Sequence, residues 1–434
     1  MKKLILLFAI TTLISSCSKS DSANPDPDGK SNTLFSESTG WKRVATINAI
    51  EQLLGAANWM TPYDLNIVNN KAQVIYSQNS NFNNERIFKA SYPIGSNATD
   101  SNMALSNLYY IANGYAGVDY GDVFFKTNTY TVQTRTGLDN GGGVGYAILH
   151  NEAGLELSKQ LLSNFSSLQY SAKKMYSNFD ILLTGNGGLE NGYYTSATNS
   201  WQRISIYSAD QTYNIDGATF KIADGTLLAF RLYDKVNPKQ AFLSISDITA
   251  NGPYQARFTE EHPEYAPTQY IIHQYTANET IFASTVTIAG YAVENNSFTV
   301  VLREENNTTH NYTLSAYKWT KGAVTFQNLY SHLPISKLLG DSLGANNVCQ
   351  PDGEIGVIVK EGINGNQMTY SLATCNASGE HKYGSVVNNT YPRAVTLLSC
   401  LRYINGSYYA VASPSLFSSD NGDGQHLDIV KLTL

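Results

Sequence analysis

From Trp41 onward the chain runs in short stretches where apolar and polar residues alternate. They are rich in Val, Ile, Tyr, Phe and Thr and are separated by Asn, Asp and Gly. Alternation with a period of two puts one face of each stretch toward a core and the other toward water, which predicts strands. One unit recurs: a strand, a tight turn, then a more apolar strand. Residues 64–68 meet Asn69-Asn70 before 72–76, and 130–136 reach Asn140-Gly141 before 144–149. Residues 220–222 turn at Asp224-Gly225 into 226–232, and 285–293 turn at Asn295-Asn296 into 298–302. Asp352-Gly353 precedes 355–359, Asn405-Gly406 precedes 407–411, and a weaker instance lies at 178–183. Asn and Gly suit such turns because the turn positions require positive φ.

A hairpin unit repeating at irregular distances around 40 to 50 residues is the spacing of β-propeller blades. The expected fold is all-β and β-propeller-like, with six to eight blades and seven as the central number. Insertions account for the irregularity, notably between Asp247 and Ile281. The alternating segment 426–432 would close the ring against the first strand at 41–47, since closure removes unpaired edges. Two β-sandwich domains are the alternative fold. Helical spacing is met only at 45–54, which competes with the strand at 41–47, and at 154–165.

Ahead of this region the pattern changes twice. Met1-Lys2-Lys3 and the apolar run 4–10 form the n-region and h-region of an export signal. That run is far shorter than the roughly 20 residues of a membrane-spanning helix. Residues 18–32 hold almost nothing to bury and read as a flexible tether. The expected organisation is a signal at 1–16, a tether at 17–40 and the folded domain at 41–434.

Composition narrows the partners. Only 15% of the 434 residues are charged, the formal net charge is −6, and Tyr alone contributes 30 residues. Removing Lys2 and Lys3 with the signal makes the chain more acidic still. The lack of basic clusters argues against nucleic acid as a partner. The four cysteines include Cys17 and leave Cys349, Cys375 and Cys400. An odd number allows at most one internal bridge. Cys349 with Cys375 is the pairing expected if they lie on neighbouring strands, and buried inert thiols fit equally well.

Ile14-Ser15-Ser16-Cys17 resembles the lipobox of bacterial lipoproteins. That resemblance implies lipidation of Cys17, acylation with chains such as palmitate, and attachment through the N-terminal lipid. An ordinary signal peptide with a chance cysteine is the alternative. Ser18 follows the cysteine where Asp would mark inner-membrane retention, so the outer membrane of the cell envelope is expected, on either face. Asp21-Ser22-Ala23 resembles an O-glycosylation sequon of exported Bacteroidota proteins and makes Ser22 a candidate acceptor; Asp341-Ser342-Leu343 fits the same pattern. The overall look is similar to uncharacterised lipoproteins of Bacteroidota.

Candidate chemistry is sparse. Glu260, Glu261, His262 and Glu264 form the densest titratable cluster, available for acid/base work or metal binding if a cleft shifts their pKa values. Pro263 argues against a helix presenting them on one face, and a solvated charged loop is the simpler reading. Ser418 to Gly422 resembles the Ser-x-Asp-x-Gly core of an Asp box of sialidase-like propellers, but lacks the Thr-Trp that follows it. The resemblance bears on architecture and not on a catalytic site. Asp420 and Asp423 in that loop offer oxygen ligands to calcium, with a solvated turn as the alternative; the EF-hand positions are not matched. No other cofactor is expected. Asn140 to Gly145 lacks the residues and context of a phosphate loop and reads as a hairpin. The four tryptophans suit sugar stacking, or more simply packing between sheets.

The sequence thus points to a lipid-anchored envelope binding module for a glycan, a peptide or an envelope protein. A glycoside hydrolase or polysaccharide lyase on the same scaffold and a structural envelope protein are the alternatives.

Overall fold

The computed structural model describes residues 41–48, 59–79, 86–94, 106–110, 120–125, 131–139, 142–150, 156–163, 182–184, 190–195, 200–207, 213–235, 240–247, 256–257, 268–274, 284–306, 308–344, 347–364, 367–387, 396–414 and 426–433. These are almost wholly strands. β1 (Trp41–Asn48) is followed by a first sheet of β2 (Trp59–Val68), β3 (Lys71–Asn79), β4 (Arg86–Pro93) and β5 (Ser106–Tyr110). The second holds β6 (Tyr120–Phe125), β7 (Thr131–Asp139), β8 (Gly142–His150) and β9 (Glu156–Ser163). β10 (Leu182–Thr184), β11 (Glu190–Thr195) and β12 (Ser200–Tyr207) belong to the third, and β13 (Tyr213–Lys221), β14 (Leu227–Lys235) and β15 (Gln240–Asp247) to the fourth. β16 (Ala256–Arg257) returns to the third sheet, parallel to β12, before β17 (Thr268–Gln274) completes the fourth. This irregularity falls inside the expected insertion.

The fifth sheet is β18 (Ser284–Glu294), β19 (Ser297–Asn306), β20 (Tyr312–Thr320) and β21 (Gln327–Ile335). A short helix, α1 (Lys337–Ser342), leads to the sixth: β22 (Asn347–Cys349), β23 (Ile355–Asn364), β24 (Gln367–Asn376) and β25 (Gly379–Val387). β26 (Thr396–Ile404), β27 (Ser407–Pro414) and β28 (His426–Thr433) then pair with β1 as the seventh. Among the described residues the strands therefore make seven four-stranded sheets.

Consecutive sheets touch, β2 with β6, β9 with β12, β10 with β13, β13 with β18, β18 with β22 and β22 with β26, and β26 touches β2 to close the circuit. That ring excludes two separate sandwiches. Closure is also staggered along the chain, because β1 pairs antiparallel with β28, Trp41 opposite Leu432 and Ile47 opposite Leu427. The first strand thus completes the last sheet, as the alternation of 426–432 predicted.

The hydrophobic core is divided among the gaps between sheets. Phe230, Leu232 and Leu243 of the fourth sheet meet Phe298, Val300 and Trp319 of the fifth. Val301 and Leu314 of the fifth meet Ile355 and Val357 of the sixth. Leu372 meets Trp41 and Tyr408 across the next gap, and Val74 and Tyr76 meet Ile429 and Val411 across the last. Fully burying one such side chain contributes about 1.5–3 kcal/mol. Trp41 and Trp319 are therefore core residues rather than sugar platforms.

The turns form where the sequence required them. Asn69, Asn70, Asn295 and Asn405 adopt φ between 49° and 57°, and Gly406, Gly353 and Gly225 adopt 75°, 90° and 91°. Asp139 pairs with Gly142, so the glycine-rich stretch is a hairpin.

Two local expectations are overturned. Residues 154–165 contain β9, not a helix, because Glu156, Ser158 to Leu161 and Ser163 pair with β8; the ladder outweighs the weak helical spacing. Residues 45–48 likewise belong to β1. Cys349 and Cys375 are free thiols, as is Cys400. Cys349 pairs with Ile355 and Ile355 with Cys375, so a whole strand separates the two cysteines. Two strand spacings of about 4.8 Å exceed the reach of a disulfide, about 7 Å between Cα atoms. Burial pushes the Cys349 and Cys375 thiols well up, the latter to about 12, which makes both unreactive.

Candidate functional site

In each regular sheet the turn between the first two strands lies at one end of the ring, and the passage to the next sheet lies at the other. The first end is tied together. The Ala223 N–H donates to Asn295 O at 2.9 Å, and the Lys321 N–H donates to Asn296 O at 2.9 Å. The Lys321 ammonium grips Asp224. Thr299 Oγ1 donates to Pro351 O at 2.8 Å, and Tyr330 OH donates to Gly353 O at 2.9 Å. Beside that turn, the Glu354 carboxylate accepts from Gln350 Nε2 (2.7 Å), Tyr408 OH (2.9 Å) and Asn376 Nδ2 (2.9 Å). Burial, reinforced by Glu354, pushes the Tyr408 phenol far up. These named groups are spent on one another, so this part of the ring acts as a scaffold.

A chemically different place opens toward the other end, between the fourth and fifth sheets. Ile272, Val286 and Leu302 line a shallow, partly open recess of about 10 Å³, room for about one water, together with Glu304, Ser315, Tyr317 and His332. Glu304 is placed by β19, Ser315 and Tyr317 by β20, and His332 by β21. Their meeting depends on a bulge. Leu314 pairs with Leu333 and Ala316 with Tyr330, so Ser331 and His332 together oppose Ser315. A bulge of this kind re-aims a side chain. His332 has φ +50°, a left-handed conformation that costs a non-glycine residue roughly 1–2 kcal/mol. The Ser315 hydroxyl holds it there by accepting the His332 N–H at 2.9 Å.

His332 Nδ1 then stands 3.4 Å from Glu304 Oε2, with side-chain exposures of 53% and 21%. Ser315 also hydrogen-bonds the Tyr317 phenol, whose pKa burial raises to about 12. Tyr317 packs against Tyr270 with ring centroids 5.4 Å apart. The result is a carboxylate and an imidazole side by side at an open mouth, over an aliphatic and aromatic floor. Such an arrangement accepts and donates hydrogen bonds to a polar ligand. Backbone strain held at an accessible polar residue is a feature of functional sites.

Sequence reasoning missed all four polar residues. Their only signal is the charged triplet Arg303-Glu304-Glu305 ending an apolar strand. Of the residues singled out from the sequence, Cys17, Ser22, Glu260, Glu261, His262, Glu264, Asp420 and Asp423 lie outside the described residues. Among the described residues no three His, Cys, Asp or Glu side chains are grouped to hold a metal. Asp341 and Ser342 fall in α1, where Asp341 accepts from Tyr312 OH at 2.6 Å and the Ser342 hydroxyl donates to Leu338 O at 2.8 Å. Ser378 Oγ stands 2.7 Å from His381 Nε2, yet on an exposed turn and 2.7 Å from Asn376 Oδ1. This locks a turn in the manner of an Asx motif.

No protein-family model matches this chain, and no curated protein matches it. Solved structures are similar at low identity. A puromycin hydrolase mutant complexed with PGG is 13% identical at a TM-score of 0.37, over 81% of this chain and 50% of that one. The WD40 domain of SCAP from fission yeast is 10% identical at a TM-score of 0.36, over 86% and 94%. Phage phi92 endosialidase is 10% identical at a TM-score of 0.35, over 91% and 69%. The chain thus spans half the length of the puromycin hydrolase it matches. By its own sheet topology it is an all-β, propeller-like protein.

Proposed function

We propose that this protein is a binding module held at the outer membrane by lipid on Cys17, taking a glycan, a peptide or an envelope protein at the end of the ring opposite its tied turns. The observation that carries this reading is the contrast in polar chemistry. The turns described above are tied to one another, whereas the Glu304–His332 pair stands, half-exposed, at the mouth of an open recess. Binding is favoured over glycoside hydrolysis because hydrolysis needs two carboxylates across the sugar. Among the described residues lining the cleft, Glu304 is the one carboxylate. The export signal, the lipobox and the polar tether support the location.

Two measurements test this. Metabolic labelling with an alkyne-palmitate should mark the wild-type chain and not the Cys17→Ala variant; equal labelling of both would remove the anchor from the reading. A glycan, peptide and envelope-extract binding screen, run with a depolymerisation assay and with or without calcium, should give binding without product release. Released oligosaccharide would make the protein an enzyme and direct attention to Glu260, Glu261 and Glu264.

A further inference from the structure

Resting on the lipidation of Cys17, we infer that the tied-turn end of the ring is a membrane-facing surface, and that the opposite end is presented away from the lipid. Strand register fixes where the tether joins the domain. Trp41, which opens β1, is opposite Leu432 of β28, and Leu432 is opposite Tyr408 of β27. Tyr408 pairs back to Tyr403 across the 405–406 turn. Trp41 therefore lies on the tied side of the seventh sheet, whereas Asn48, closing β1, is opposite His426 on the other side. β1 is also the outer strand of its sheet, so the junction sits on the rim. Trp41 is fully buried with Leu372 and Tyr408. A terminal strand tied into a sheet in this way does not fray, and the tether leaves from a fixed point.

Length then decides between the two orientations. Residues 18–40 lie between Cys17 and Trp41, outside the described residues, and their polar composition is that of a tether. A flexible chain of that length spans about 25–30 Å on average. Strands such as β19, with 10 residues, make the ring about 30 Å deep. With the tied end toward the bilayer, the tether reaches the lipid without stretching. Inverting the ring would make it run back across the whole depth first, which consumes its average span and is opposed by chain entropy.

The surface chemistry of the tied end accepts a bilayer. Exposed Lys71 and Lys321 stand among exposed Asp224, Glu294 and Asp352, so no single-sign field drives this end away from lipid headgroups. The 321–326 turn belongs to the same end, since the Lys321 N–H donates to Asn296 O, and its Val324 side chain is 83% exposed. The 307–311 connection, with exposed Thr309, lies at the opposite end of β19. The binding end proposed above is thereby turned toward solvent.

The test uses the full lipidated chain on phosphatidylcholine vesicles that carry a fluorescent acceptor lipid. A donor dye is attached at Val324→Cys or at Thr309→Cys, and the chain without either reporter gives the background from its own thiols. Energy transfer from position 324 should exceed that from position 309 several-fold, because the strand length of about 30 Å separates them. Lengthening the tether with a Gly-Ser insertion after Ser31 should shrink that difference. Equal transfer from both positions, or more from 309, would overturn the orientation while leaving the anchor intact. A difference untouched by the insertion would overturn tether length as its cause. A chain that fails to float with the vesicles, as Cys17→Ala should, would overturn the anchor and the orientation together.

Discussion

At one end of the ring, β2–β3, β18–β19 and β26–β27 join through turns at 69–70, 295–296 and 405–406; at the other, α1 follows β21 before the sixth sheet begins. Turns at one end bond to one another through their own backbone and side chains, from Ala223 and Asn295 through Pro351 to Tyr408. The opposite end places Glu304 and His332 at an exposed mouth and accepts strain to do so. The same fold thus separates two tasks. Hydrogen bonds between neighbouring turns hold one end together, while Glu304 and His332, paired with each other, lie toward the other. Substitutions at the two ends should therefore have different consequences.

The largest effect is expected where the ring closes. Asp64 on β2 is fully buried and paired with Arg402 on β26, which also donates to Leu401 O at 2.6 Å. Leu65 N–H donates to Asp64 Oδ1 at 2.7 Å. Arg402→Met would leave a buried carboxylate without its counter-charge, at a cost of about 3–5 kcal/mol. Denaturant unfolding measures it; a loss under 1 kcal/mol would mean that the closing sheets do not depend on this pair.

A matched pair of glycine substitutions sharpens the contrast between the ends. A Cβ on Gly356 would lie 2.6 Å from the Tyr408 ring, and one on Gly340 would lie 2.2 Å from Tyr312. Tyr408 is fully buried and fixed by Gln350 and Glu354, and Tyr312, also buried, is fixed by Asp341. Gly356→Ala should cost about 1–3 kcal/mol, and Gly340→Ala at least as much, because its Cβ would also lie 2.9 Å from Tyr312 Cβ, an atom that no side-chain rotation moves. A Gly340→Ala variant that melts well above Gly356→Ala would show that the α1 side yields more readily than the turn end.

These expectations also show how far the sequence carried. Asn69-Asn70, Asn295-Asn296 and Asn405-Gly406 were legible because a positive φ restricts the residue type at a single position. The closing strand was legible because alternation is local to 426–432. Asp64 and Arg402 were not, being 338 residues apart. Nor was the cleft, since Glu304, Ser315 and His332 meet only after three strands pair and one bulges. Helix α1 was too short for periodicity, although Ser336 caps it, accepting from the Leu339 N–H at 3.2 Å. Residues 154–165 show the converse error, a helical spacing overruled by strand pairing.

The smallest effect is expected at the surface of the turn end, at Asp224. Its carboxyl pKa is lowered from 3.8 to about 2, first by the hydrogen bond from the Lys321 side chain and then by bonds from Thr226. A carboxylate held below its unfolded value stabilises the fold above about pH 3.8, and that contribution is lost as the pH falls toward 2. Because Asp224 is exposed, solvent and salt screen the pair. Lys321→Met should therefore leave the melting temperature at pH 7 almost unchanged while moving the Asp224 midpoint, followed by carboxyl NMR, upward toward 3.8. If the midpoint stays near 2, the backbone of the 222–226 turn, not Lys321, holds the charge. The turn end would then owe its order to hydrogen bonds between turns alone.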